Sequence, residues 1–147
     1  MHMEPSLVRS RVAVAVFFAV NGMIGFTFLP RLAQVQNQTG LDDAGLGIVL
    51  AIGTAGGLIV GPAAAYFVTR FGATQVTAVT LLVSLPAIAA IGFVNSGVAL
   101  ALVLAVWMSM DALTDSAMNT RALALQSAYG RSIINSFHAW WSLATII

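Results

Sequence analysis

Along the chain, apolar residues gather in five long windows, at 12–29, 44–68, 74–94, 98–118 and 132–147, separated by short polar or breaker segments. A hydrocarbon layer about 30 Å thick needs about 20 helical residues to cross it, and each window is near that length. The first window stops at Pro30-Arg31. The second is preceded by Asp42 and Asp43, either of which can cap a helix N-terminus, and ends at Arg70-Phe71-Gly72. The third carries Pro86, which a membrane helix tolerates when neighbours re-satisfy the freed carbonyl, and Asn95-Ser96-Gly97 then predicts a tight turn. A polar stretch, 119–131, divides the fourth window from the fifth. That fifth window is still apolar at Ile147, so it is expected to be a helix truncated inside the bilayer. β-Barrel strands would alternate apolar and polar residues over about ten positions, whereas 12–18 and 46–52 are apolar on both parities. The pattern therefore predicts an all-α membrane protein with about five transmembrane helices.

Composition strengthens this expectation. Apolar residues make up 59% of the 147 residues and charged residues 7%, against roughly 25% charged in a soluble domain. Six arginines, five acids and no lysine cannot solvate the shell of a globule of this size. The balance is +1 with no basic run, so nucleic acid is not an expected partner; the lipid bilayer is. Cysteine is absent, which leaves no disulfide framework or thiolate metal site. Arg9 and Arg11 before an apolar stretch resemble a signal-peptide n-region, but four further apolar windows follow, which favours a retained span. A cytoplasmic N-terminus puts Arg9, Arg11, Arg70, Arg121 and Arg131 inside and only Arg31 outside, as the positive-inside rule prefers.

Within the spans, Gly53, Gly57, Gly61 and Ala65 recur every four residues and lay a groove of small residues along one helix face. Such a groove lets another backbone approach closely, in a static bundle or at a moving interface alike. Asn21, Gly22 and Gly25 form a second small and polar patch, where either a neighbouring helix or a solute meets the first span. In the fourth window Trp107, Asp111 and Asp115 share a face by their spacing of four. Asp115 lies about one turn from the cytoplasmic end, where it can reach the headgroups or pair with Arg131 or Arg121. Asp111 lies about 12 Å in, too deep for a short side chain to snorkel. Intramembrane acids normally face a bundle interior or an aqueous cavity, and hydrocarbon penalises the charged form of a carboxyl.

Beyond Arg131, a polar stripe of Asn135, His138 and Ser142 follows at helical offsets, with Trp141 beside it. His138 lies about 10 Å from Arg131 by helical rise, a depth matching that of Asp111. The two suit either a structural hydrogen bond or a proton relay. Packing is the ordinary role for Trp107, Trp140 and Trp141, and stacking on a sugar ring the special one. No zinc-protease, phosphate-loop or nucleophile-elbow motif is present, so neither an enzyme, a metal site nor a cofactor is expected.

Several motifs bear on a family. Asn21-Gly22, the run Gly-Leu-Asp-Asp-Ala-Gly-Leu-Gly at 40–47, and Arg70-Phe71-Gly72 resemble the major facilitator superfamily. Asp-Ser-Ala-Met-Asn at 115–119, Gly130-Arg131 and Ser-Phe-His-Ala-Trp-Trp-Ser at 136–142 resemble its fucose-permease-like branch. The resemblance implies twelve helices in two six-helix halves around a site that opens alternately to each side. Residues 1–147 would then be a truncated N-terminal transmembrane half, with the C-terminal half as its missing partner. The family's loop signature Gly-x-x-x-Asp-Arg/Lys-x-Gly-Arg-Arg/Lys falls on Ala65, Thr69, Arg70, Gly72 and Ala73-Thr74, keeping Arg70 and Gly72 as gating positions but losing the acid. The acid known in helix one of this branch corresponds to Asn21, which carries no proton, and leaves Asp111 as the candidate carrier.

The function so implied is a fragment of a secondary active transporter in the bacterial inner membrane, proton-coupled and moving a small polar solute such as a sugar. Asp111 and His138 are its proton-coupling candidates; Asn21, Trp107, Asn135 and Trp141 are its cavity candidates. A drug or metabolite efflux carrier of the same fold, and a non-transporting or inactive truncated membrane protein, are the alternatives.

Overall fold

A computed structural model describes residues 5–146, and its elements follow from where breakers interrupt the apolar windows. Helix α1, Pro5–Phe28, tightens at Leu29–Arg31 around Pro30 and continues as α2, Leu32–Thr39. The result is one rod over Ser6–Thr39. It ends at Gly40, whose φ of +69° suits a residue without a Cβ. Asp42 then caps α3, Asp43–Val60, by accepting the Gly45 N–H at 2.8 Å. A short 3₁₀ turn at Gly61–Ala63, holding Pro62, leads into α4, Ala64–Phe71. Gly72 turns the chain into α5, Ala73–Ala90, in which Pro86 leaves the Leu82 carbonyl without its helical donor. Ser96 caps α6, Gly97–Tyr129, through the Ala99 N–H. Gly130 ends α6, and α7, Ile134–Ala144, follows.

Four of the described rods are long and apolar enough to cross a bilayer: Ser6–Thr39, Asp43–Phe71, Ala73–Phe93 and Gly97–Tyr129. The expected fifth span differs. Helix α7 has 11 residues, about 16 Å by helical rise, and Ile147 lies outside the described residues. Two of the polar stretches that lie between the apolar windows are helical. In 119–129 the polar side chains bond back to the previous turn: Asn119 to the Asp115 carbonyl at 2.9 Å and Thr120 to the Ser116 carbonyl at 2.8 Å. The opposite face of the same stretch buries Ala122 and Leu125. Residues 32–39 repeat this solution, with Val35 buried and Thr39 bonded back to its carbonyl.

Helix α6 is the axis of the molecule, packing against α1, α3, α5 and α7. One apolar cluster joins Ile24, Phe28, Leu81, Leu100, Leu104 and Trp107; a second, toward the other end, joins Val14, Phe18, Met118, Leu125 and Phe137. The outer surface is equally apolar: Leu58 is 73% exposed, Ile59 77% and Phe93 86%. A water-soluble fold does not present so continuous an apolar face, whereas a bilayer solvates it.

Between α3 and α6 the backbones nearly touch. A Cβ added at Gly57 would come within 3.1 Å of the Met108 carbonyl oxygen, and one at Gly53 within 2.8 Å of the flexible Met108 sulfur. Gly56, outside the every-fourth stripe, is equally tight, at 3.0 Å from the Ala105 carbonyl oxygen. Gly61 is not in close contact: the nearest atom to its Cβ position is the Ala112 methyl at 3.9 Å, and Ala65 is exposed. The packing face therefore bends toward Gly56 and fades after Gly57.

Candidate functional site

Asn21 sits mid-way along α1, 7% exposed, on the face that α1 turns toward α6. The neighbouring Gly22 is where α7 closes on α1: a Cβ there would lie 2.5 Å from the Trp141 carbonyl oxygen. Asn21 faces the bundle interior, and its amide lies close enough to the Asp111 carboxyl on α6 to hydrogen-bond it. An asparagine suits such a partner whether or not the acid carries its proton. Its NH₂ donates to a carboxylate, and its carbonyl accepts from a carboxylic O–H. A pair of this kind can stay hydrogen-bonded whichever protonation state the acid takes, and it brings the first and fourth rods together at one point.

Asp115, one turn further along α6, lies near enough to Asp111 to act on it electrostatically. It is exposed and accepts a 3.1 Å bond from Asn119 on its own helix. Trp107, one turn in the other direction, is 6% exposed and meets the Phe28 ring edge-on at 5.7 Å. Its indole N–H is buried with no hydrogen-bond partner among the described residues, as is the Ser84 hydroxyl. Trp107, Asp111 and Asp115 therefore lie along one side of α6, with Asn21 of α1 opposite Asp111.

The other candidates are placed apart from this group. His138 is exposed on α7 and stands edge-on to Phe18 of α1, centroids 5.1 Å apart; the groups acting on Asp111 are Asn21 and Asp115. Equal depth did not bring the histidine and the acid together, because α7 packs chiefly on α1 rather than on α6. Asn135 is exposed. Trp141 is half-buried against Phe26, edge-on at 5.9 Å. The expected Asp115–Arg131 ion pair does not form among the described residues: Asn119 takes the carboxylate, and Arg131 points outward, exposed. At the α4–α5 junction Gly72 has φ +86°, Arg70 is exposed, and Thr69 bonds back to the Ala65 and Tyr66 carbonyls.

One intramembrane polar contact had no counterpart in the sequence reading. The Thr114 hydroxyl on α6 meets the Thr80 hydroxyl on α5 at 2.7 Å, and each also has a carbonyl of its own helix within donating reach, Met110 for Thr114 and Val76 for Thr80. Two threonines in separate apolar windows carry no spacing signal. Gly56 does carry a sequence signal, as half of a Gly-Gly pair, which the every-fourth spacing passes over.

The fold and this site define a class: a multi-pass α-helical membrane protein with a hydrogen-bonded acid held inside the bundle. The chain is similar to two curated proteins. It is 28% identical over 134 residues to an uncharacterized transporter of Sinorhizobium fredii, covering 91% of this chain and 36% of the relative. It is 24% identical over 143 residues to an uncharacterized MFS-type transporter of Yersinia pestis, covering 95% of this chain and again 36% of the relative. The chain thus spans about a third of the length of the curated relatives it matches. No family model matches it, and no solved structure does.

Proposed function

We propose that the chain forms part of a proton-coupled secondary transporter that moves a small polar solute, such as a sugar, across the bacterial inner membrane, with its N-terminus cytoplasmic. The Asn21–Asp111 pair carries the proposal: an ionisable group is held within an apolar bundle by a partner that serves both of its protonation states. Similarity to MFS-type and other transporters supports it, as do the motifs of the fucose-permease-like branch at 115–142. In this scheme Asp111 takes and releases the proton, while Asn21 holds the carboxyl in place. Trp107 offers its unsatisfied N–H toward the solute path, and Asn135, His138 and Trp141 line the side of the path contributed by α7. A second half supplies the opposite wall of the alternating cavity.

The test uses the complete transporter in vesicles with an imposed pH gradient and labelled monosaccharides as probes. Asp111→Asn should abolish gradient-driven accumulation while solute exchange remains measurable. Accumulation at the wild-type level in that variant would remove the proton role.

A further inference from the structure

At the end of the bundle where α1 begins, α5 begins and α6 leaves the membrane, three helices enclose a groove of about 300 Å³. Its rim carries Arg9 and Ser10 from α1, Thr74 from the first turn of α5, and Arg121 from α6; the exposed Ala13 and half-buried Phe17 form its apolar wall deeper in. Among the described residues neither arginine has an ion-pair or hydrogen-bond partner, and no acid lines the groove. Arg11, by contrast, is engaged on the far side of α1, its guanidinium 5.7 Å from the Tyr129 ring centroid. Helix α5 starts at Gly72 with no side-chain cap, so the N–H groups of its first turn, which includes Thr74, point their partial positive charge toward the same rim.

Two guanidinium groups, unpaired among the described residues, two hydroxyls and an uncapped helix start converge where an apolar wall descends into the bilayer. We propose that this groove binds the phosphate headgroup of an anionic phospholipid, one acyl chain lying along Ala13 and Phe17. Charge selects the headgroup and the wall selects a lipid over a free anion, because an inorganic phosphate leaves Ala13 and the half-buried Phe17 uncovered. Guanidinium supplies the paired N–H donors that phosphate oxygens accept. The proposal needs only that α1 and α6 cross a bilayer, and it stands independently of the transport reading.

The chain purified in detergent is titrated with phosphatidylglycerol, with phosphatidylcholine and with inorganic phosphate, and adducts are counted by native mass spectrometry. Phosphatidylglycerol should be retained in preference to phosphatidylcholine, and millimolar phosphate should fail to displace it. At about 1 kcal/mol per arginine near a charged headgroup, Arg9→Gln or Arg121→Gln should weaken binding about fivefold and the double variant about thirtyfold. The double lysine variant should recover most of the loss, and Arg131→Gln, which removes the same charge outside the groove, should leave binding unchanged. Equal retention of both lipids overturns the proposal, as does wild-type binding by a folded double variant or an equal loss from Arg131→Gln. Displacement by inorganic phosphate would convert the site to one for a free anion. Should the double variant fail to fold, the wild type decides: its preference for phosphatidylglycerol must fall as salt rises, and a salt-insensitive preference sinks the proposal.

Discussion

Asp111 and Asn21 are each unremarkable as side chains; their placement gives them meaning. Hydrogen bonds to charged or ionisable groups inside a protein contribute more than neutral ones, and removing one partner leaves the other's desolvation uncompensated. Asn21→Leu should therefore lower the stability of the chain in detergent by about 1–3 kcal/mol, read as a lower unfolding temperature. Asp111→Leu in the same background should recover part of that loss, since no acid is then left stranded; a further full loss on adding it would show the two side chains to be independent. Trp107 makes the opposite case. Its N–H has no partner among the described residues to lose, so Trp107→Phe gives up ring volume but no hydrogen bond and should lower the unfolding temperature less than Asn21→Leu. In the complete transporter the same change should weaken solute binding, the outcome that separates a packing tryptophan from one that faces the solute.

Among the elements, the contacts of α3 and α1 depend on what a methyl group would strike. Gly22→Ala drives a Cβ to 2.5 Å from the Trp141 carbonyl oxygen and must push α7 off α1. Gly57→Ala meets the Met108 carbonyl oxygen at 3.1 Å, a rigid neighbour that has to give by a few tenths of an ångström. Gly53→Ala meets the Met108 sulfur, which can swing aside, but also the Leu104 Cβ at 3.0 Å, which moves only with its helix; Gly61→Ala meets nothing closer than 3.9 Å. Thermal unfolding should rank Gly22→Ala as most damaging, Gly57→Ala next, and Gly61→Ala neutral or slightly stabilising, since alanine favours a helix over glycine by up to about 1 kcal/mol. Across α5 and α6 a double-mutant cycle on Thr80 and Thr114 should give a coupling near 0.6 kcal/mol, the average for interhelical hydrogen bonds in membranes. The every-fourth glycine spacing announced the α3–α6 seam. Gly56 joined it and Gly61 fell out of it because the two rods cross, so the contact leaves the stripe within two turns.

At the scale of the whole molecule, the four long rods alternate in direction, which puts the Gly40 and Asn95 turns at one end and the Gly72 and Gly130 turns at the other. With no native cysteine, single cysteines report their side directly. A membrane-impermeant maleimide applied to intact cells should label Asn95→Cys and spare Ser132→Cys, both positions being exposed. The reverse pattern would invert the orientation that the arginines favour.

The sequence by itself determined the membrane class, since scarcity of charge leaves only lipid to solvate the surface. It also placed the second and third rods within a few residues, because Asp42, Gly72 and Asn95-Ser96-Gly97 act locally on the backbone. It did not determine how far helices run past the hydrocarbon: residues 119–129 and 32–39 looked polar enough for loops, yet their side chains bond to their own helix while Leu125 and Val35 find cores. Nor could it choose a partner for Asp111. Depth along a helix axis is readable from rise per residue, but which neighbour a face meets is set by how whole helices cross. Packing of α7 on α1 took His138 to Phe18 and left the acid to Asn21.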